Sequence, residues 1–243
     1  MMRYDIAAYG DKRPDYDSML WELREDEAEA SAFLAGLATD GRALELGIGT
    51  GRVALPLARH GVAVTGIEGS SSMVDQLKRK ITEESVEVVV GDFADVGVDG
   101  TFDLIYCISE TFFLLPTQER QVGCVRNVAE RLTSGGRFVV QATVPQHALF
   151  CKKESTHTRH VDERSAVVTA RRHNRAEQSV DVQNIVFDGE GNTFHPLHYR
   201  YVWPSELDLM ARLAGLSPVS RSGDWGGSVY DASGGYVSVY RKP

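Results

Sequence analysis

Apolar runs and amphipathic stretches alternate through the first half of the chain. Ala43-Leu44-Glu45-Leu46, Val62 to Ile67, Val86 to Val90, Phe102 to Tyr106 and Arg137 to Val144 read as short buried strands. Helical spacing of Val53, Ala54, Leu57 and Ala58 predicts a helix over Arg52 to Arg59. A second helix begins near Ser71-Ser72, where Ser72 and Asp75 have capping-box spacing, with Met73, Val74 and Leu77 as its apolar stripe. A third runs from Thr117 to Leu132, with Val122, Val125, Ala129 and Leu132 inward; Gly135-Gly136 ends it and starts the fifth strand. Such alternation of strand and helix predicts a parallel sheet.

After Pro145 the period changes. Thr156 to Ala170, Ser179 to Phe187 and Thr193 to Trp203 alternate polar and apolar residues around the turn Asp188-Gly189-Glu190-Gly191-Asn192, which predicts antiparallel hairpins. Helical spacing returns at Leu207, Met210, Ala211 and Ala214, with Ser205 as expected N-cap and Gly215 as terminator. Pro218 to Ser222 and Gly235 to Arg241 supply the last strands, joined through Asp224-Trp225-Gly226-Gly227. Ahead of the first strand lies an aromatic-rich segment with Tyr4, Tyr9 and Tyr16, then a helix-like run from Glu22 to Ala38. It is either a lid over a ligand or a helix pair covering the sheet. Three parts are expected: a helical cap over 1–38, an α/β domain over 39–145 and 204–243, and an antiparallel β insertion over 146–203.

Composition narrows the function. The chain has 243 residues, 42% hydrophobic and 25% charged, as in an ordinary globular protein. A net charge of −8 argues against a nucleic-acid binder, which needs a basic face. Cys107, Cys124 and Cys151 show no C-x-x-C pairing and read as reduced, small apolar side chains. No run approaches the length of a membrane span, and the N-terminus lacks an apolar leader, so a cytoplasmic protein without membrane partners is expected. His157/His160 and His195/His198 have H-x-x-H spacing, but nothing completes a zinc set, and no metal is expected.

Candidate chemistry gathers at the strand ends. Gly47-Ile48-Gly49-Thr50-Gly51 closes the first strand, and glycines there permit positive φ and close ligand approach. Glu68 ends the second strand, where an acid can accept hydrogen bonds from ribose hydroxyls. Gly91-Asp92-Phe93 ends the third, offering a carboxylate and a ring to an adenine. A dinucleotide fingerprint would need a third glycine where Arg52 stands, and no phosphate-binding G-x-x-x-x-G-K-[ST] occurs.

The spacing Glu45-x-Gly47-x-Gly49-x-Gly51 resembles the first motif of class I S-adenosylmethionine-dependent methyltransferases. Glu68 and Gly91-Asp92-Phe93 match that family's next two motifs. The likeness continues through Phe102-Asp103-Leu104-Ile105-Tyr106 and Leu132 to Phe138, and is strong over residues 40–145. It implies a doubly wound, seven-stranded Rossmann-like sheet with a C-terminal antiparallel strand, and S-adenosyl-L-methionine as cofactor. Implied cofactor contacts are Tyr16, Glu45, Gly47, Gly49, Gly51, Arg52, Glu68, Gly69, Met73, Asp92, Phe93, Ile108 and Ser109. Tyr16-Asp17 resembles the family's lid pair, and the β insertion resembles the acceptor wall of small-molecule methyltransferases.

Methyl transfer from a sulfonium needs alignment first, and a base only when the acceptor must lose a proton early. Glu110 follows the fourth strand, facing the methyl group in the family fold; it is an acceptor contact, a solvated loop acid, or an acid that steadies the cofactor's ammonium. His195 is the other base candidate, sharing a strand face with Tyr199 and Tyr201 while His198 takes the opposite face. Tyr9, Glu110, Phe113, Tyr199, Tyr201 and Trp225 are the expected acceptor contacts, with Phe112 and Trp203 nearby. The expected activity is methylation of N or O on a small aromatic or heterocyclic metabolite. A non-catalytic cofactor-binding module and a nucleic-acid base methyltransferase are the alternatives. The latter lacks its Asn/Asp-Pro-Pro-Tyr-like segment at Ser109-Glu110-Thr111-Phe112.

Overall fold

The computed structural model describes residues 7–11, 16–17, 26–144 and 152–243. Among the described residues, helices α1 (Ala8–Asp11) and α2 (Glu27–Ala35) precede the sheet. Then β1 (Arg42–Leu46), α3 (Ala54–Arg59), β2 (Ala63–Glu68), α4 (Ser71–Lys80), β3 (Val86–Val90), β4 (Phe102–Cys107), α5 (Gln118–Arg131) and β5 (Leu132–Thr143) alternate. A meander of β6 (Glu154–Val161), β7 (Ala166–Asn174), β8 (Ser179–Asp188) and β9 (Gly191–Arg200) intervenes before α6 (Pro204–Leu213), β10 (Ser217–Ser222) and β11 (Gly235–Arg241).

The main sheet has seven strands in the order β10-β11-β5-β4-β1-β2-β3. β1 pairs in parallel with β2 and β4, and β11 runs antiparallel between β5 and β10. The fold is the Rossmann-like sheet expected from the sequence. The chain winds outward from β1 to β3 and then returns to β4 on the other side of β1. That reversal opens a crevice at the carboxyl ends of β1 and β4, where such sheets bind ligands. All six residues of β4 are buried; five are apolar, as a central strand requires, and the sixth, Asp103, accepts from the Asp40 and Arg42 N–H groups. Apolar side chains fill both faces, Phe102, Phe138 and Tyr240 on one and Tyr106, Val139 and Val237 on the other.

Three expectations about element ends need correction. Ser70 rather than Ser72 caps α4, accepting from the Met73 N–H at 3.2 Å. α6 is preceded by Trp203, with Pro204 in its first turn, where the missing N–H costs nothing; Ser205 is not its cap. β5 begins at Leu132, because Leu132 already pairs with Phe102 before the register shifts, and Gly135, at φ 79°, absorbs the extra residues of that bulge.

The second sheet, in the order β6-β7-β8-β9, is antiparallel throughout. Its hairpin closes at Asp188↔Gly191, where the Asp188 carboxylate accepts from the N–H groups of Glu190 and Gly191. Arg200 fastens the end of β9: it donates to Gln121 Oε1 on α5 at 2.5 Å and to Glu206 on α6 at 2.8 Å. Glu206 also accepts from Gln118 and Gln178, so one carboxylate ties the insertion to two helices of the main body. No helix among the described residues is long and apolar enough to cross a membrane.

Candidate functional site

Gly47, Gly49 and Gly51 leave β1 with φ of 75°, 56° and 83°, the left-handed region that suits glycine. The Gly47 and Ile48 N–H groups donate to Ile67 O at 2.9 and 3.1 Å, which pins the turn to the end of β2. A Cβ on Gly47 would sit 2.4 Å from Thr111 Cγ2, so the turn after β4 approaches as closely as a hydrogen allows. Arg52 follows; its guanidinium meets Asp26 at 2.6 Å and donates to Ser109 Oγ at 3.0 Å. Thr50 donates to Asp17 at 2.5 Å, beside Tyr16.

Glu45 is the anomaly of β1, a carboxyl 3% exposed in an apolar strand. The Tyr106 hydroxyl donates to it at 2.9 Å. Burial pushes its pKa up to about 8; the Tyr106 hydrogen bond and the Arg52 charge oppose the rise, and Glu68 adds to it. Glu68 accepts from the Gly49 and Ser70 N–H groups, both at 2.9 Å, and burial raises its pKa against those bonds. It therefore staples the glycine turn to the start of α4, a role the sequence reading did not assign it. Met73 is buried below this turn and Gly69 donates its N–H toward Glu68. Asp92 accepts from Ala94 N–H at 2.9 Å and pairs with Arg120 of α5, while Phe93 is buried beside it.

Ser109 and Glu110 leave β4 with φ of 56° and 58°. Two successive non-glycine residues there cost on the order of 1–3 kcal/mol each. Gln141 of β5 holds them: its side-chain oxygen accepts from Ser109 N–H at 2.7 Å and its carbonyl from Glu110 N–H at 3.4 Å. The Glu110 charge raises the pKa of both Tyr199 and Tyr236, after burial and other neighbours, so its carboxylate lies on their side of the turn. Tyr199 stacks on Phe113 with centroids 6.4 Å apart, which sets β9 directly over the Glu110 turn. Tyr236 of β11 is fully buried, its hydroxyl has no hydrogen-bond partner among the described residues, and its ring meets Tyr230 edge-on at 6.2 Å.

Other expected contacts fall elsewhere. Trp225 sits in the opposite core layer, 6% exposed, tilted on Phe33 at 5.6 Å and donating to Asp26 at 3.0 Å; it is not beside Tyr199. Tyr201 is buried and its hydroxyl meets His173 Nε2 at 3.0 Å, which makes it a core residue. Phe112 is buried in the same core, and Trp203 is 37% exposed. His195 shares the inner face with Tyr199, but four residues of strand, about 13 Å, separate them. It lies level with Asn184, away from Glu110. His198 is on the outer face, bonded to Asp181 at 2.8 Å. α1 packs against α4 and β9. The Tyr9 side chain and residues 1–6, 12–15 and 18–25 of the expected cap over 1–38 lie outside the described residues. Tyr236 and Gln141 were missed; the alternation Tyr236, Ser238, Tyr240 carried the signal for the first, and only tertiary pairing reveals the second.

A cleft of about 50 Å³ lies at the reversal point, lined by Tyr16, Glu45, Gly47, Gly49, Arg52 and Ser109, together with Ile108 and Thr111. Residues 43–136 match the methyltransferase-domain family. Over 197 residues the chain is 32% identical to the cypemycin N-terminal methyltransferase of a Streptomyces species, covering 79% of this chain and 80% of that protein. The solved CcbJ methyltransferase of Streptomyces caelestis superposes with a TM-score of 0.93 at 36% identity, over 98% of this chain and 99% of that one. The sugar N-methyltransferase KedS8 of Streptoalloteichus sp ATCC 53650 shares the fold, with a TM-score of 0.68 at 20% identity over 94% and 93% of the two chains. Sheet order, glycine turn and kinship agree: this chain belongs to the class I S-adenosylmethionine-dependent methyltransferases of secondary metabolism.

Proposed function

We propose that this enzyme methylates the nitrogen of an amine on a small, ring-bearing natural product. The observation that carries the reading is Glu110, a carboxylate held in a left-handed turn on the side of Tyr199 and Tyr236. A carboxylate there favours an amine over a hydroxyl, since the nitrogen becomes cationic as it takes the methyl group and a charge-assisted hydrogen bond to the carboxylate is the stronger one. Phe113, Tyr199 and Tyr236 give the acceptor apolar walls. Relatives described as an N-terminal methyltransferase and a sugar N-methyltransferase support nitrogen as the target.

The residues present fit S-adenosylmethionine. Glu45 is a buried carboxyl available to an ammonium, and Gly47 and Gly49 leave the backbone bare for a nucleoside. Arg52 at the cleft wall suits the cofactor's carboxylate, and Glu68, Asp92 and Phe93 remain the candidates for ribose and adenine. When bound, the cofactor supplies a methyl carbon activated by a sulfonium, which the acceptor nitrogen takes while the carbon–sulfur pair stays on sulfur. The chain's part is to align the amine and exclude water, a contribution of about 7–11 kcal/mol in well-oriented systems. Glu110 steadies the amine and accepts the proton the product sheds; His195, distant along its strand, takes no part.

Paired acceptors that differ only in amine or hydroxyl test this, with wild type and Glu110→Gln. The expected result is turnover of the amines alone and a loss of about a hundredfold in kcat for the variant. S-adenosylhomocysteine affinity stays in place. Turnover of hydroxyl acceptors, or a fully active variant, overturns the reading.

A further inference from the structure

The inner face of the second sheet carries a cation that neither the fold nor methyl transfer explains. Arg171, on β7, is half-buried, and no carboxylate among the described residues pairs with it. Its partner is instead His157 on the neighbouring β6, whose Nδ1 lies 2.8 Å from a guanidinium nitrogen. A guanidinium cannot accept, so Nδ1 accepts and the imidazole proton sits on Nε2. Burial, then Arg171, then Arg159 lower the His157 pKa, in keeping with a neutral ring. The pair therefore presents N–H donors only, beside a second positive group, Arg159. In a chain of net charge −8, arginines on one sheet face would ordinarily find carboxylates; Arg172, the next residue on the outer face, does, in Asp181 at 2.7 Å.

The register connects this cation to the acceptor wall. Arg171 pairs with Val182, and Val182 with Leu197, so all three share the inner face with Tyr199, two residues further along β9. Two strand spacings and two residues place their backbones about 12 Å apart, within reach of two long side chains. The Tyr199 hydroxyl and Arg171 are near enough to shift each other's ionisation. Tyr199 in turn lies against Phe113 and feels Glu110. The order across this face is thus carboxylate, aromatic, guanidinium.

We infer that Arg171, with His157, is a second recognition point of the acceptor site and takes a carboxylate borne by the same molecule whose amine faces Glu110. The acceptor is then an amino acid in the broad sense, with an apolar or ring-bearing segment over Tyr199 between its two charged ends. A guanidinium without a carboxylate partner among the described residues is the side chain that best matches an incoming one. This inference rests on the amine-methylating reading and adds the far end of the substrate.

The test titrates the protein·S-adenosylhomocysteine complex with matched pairs, benzylamine against 4-(aminomethyl)benzoate and pyrrolidine against proline. Wild type is expected to bind at least one carboxylate member about tenfold more tightly than its partner. In Arg171→Gln the two members of that pair bind alike, Arg171→Lys restores part of the preference, and His157→Ala loses part of it. Equal binding by wild type, no binding of any member, or a preference that survives Arg171→Gln overturns the inference. Failure of wild type to bind S-adenosylhomocysteine at all would instead sink the methyltransfer reading beneath it, so the two failures are told apart.

Discussion

The two halves of the site are built by different means. At the reversal point the ligand surface is largely backbone: three left-handed glycines, N–H groups fixed by the buried Glu68, and a second buried acid, Glu45. On the second sheet it is side chain on a regular antiparallel lattice, where register alone decides that Arg171 and Tyr199 face inward while Arg172 and His198 face out. A backbone surface tolerates no added atoms, whereas a lattice of side chains accepts substitution without altering its frame. The first suits a cofactor shared by a whole family, and the second suits an acceptor that differs from member to member.

The sharpest way to break this contrast is to add one carbon to the first region. In Gly47→Ala the new Cβ would lie 2.4 Å from Thr111 Cγ2, at a φ of 75° that alanine adopts with strain. Either the glycine turn or the Ser109–Glu110 turn must move, and a displacement of that size costs about a hundredfold in rate. Calorimetry with S-adenosylhomocysteine and single-turnover assays should both register the loss. Wild-type affinity in this variant would show that the turn is not the rigid half of the site.

Glu45 offers a subtler test. Its folded pKa of about 8 lies above the ordinary 4.5, so between those values the native protein binds the extra proton. The stability linked to this group is therefore complete below about pH 4.5 and is lost as pH rises through about 8. In the ligand-free protein the melting temperature should fall over this window, and less so in Glu45→Gln. An ammonium arriving beside Glu45 favours its ionised form, so S-adenosylhomocysteine binding at pH 7 should release a proton, measured as a buffer-dependent heat. Glu45→Gln should lose that proton release and about tenfold in affinity. A binding heat independent of buffer in wild type would remove Glu45 from contact with the ligand.

The same contrast explains what could be read from the sequence. The Glu45–Gly51 segment spells out a strand, a turn and a helix start within a few residues, so local chemistry fixes its geometry. β4 was legible for a similar reason, because a run apolar at every position but Asp103 reads as a central strand. Glu110 stood out by its place after that strand, but nothing local foretold that Gln141 of β5 would hold it in a left-handed turn. In the insertion, alternation put His195 and Tyr199 on one face of β9, with Tyr201 just past its end, yet a shared face spans a whole strand. Distance along β9 removes His195 from the turn, and the His173 bond draws Tyr201 into the core. Arg171 was passed over because a lone arginine in a polar strand is ordinary until its neighbours are known to lack a carboxylate.

Trp225 supplies the smallest and most discriminating effect. An indole in a glycine-rich loop invited assignment to the acceptor side, whereas the structure packs it on Phe33 and bonds it to Asp26. Asp26 in turn braces Arg52, and Arg52 reaches Ser109, so Trp225 touches the site through a chain of three polar contacts. Trp225→Phe keeps a ring against Phe33 and deletes the first link. Asp26 retains Arg52, so the loss should resemble one ordinary hydrogen bond, about 0.5–1.5 kcal/mol of stability by thermal or urea unfolding. S-adenosylhomocysteine affinity and acceptor KM should each move by less than about threefold, under 1 kcal/mol. A rise in acceptor KM alone would return Trp225 to the acceptor wall. A matched loss in cofactor affinity would mean that Arg52 depends on its brace, and that the rigidity of the backbone half reaches outward as far as the final hairpin.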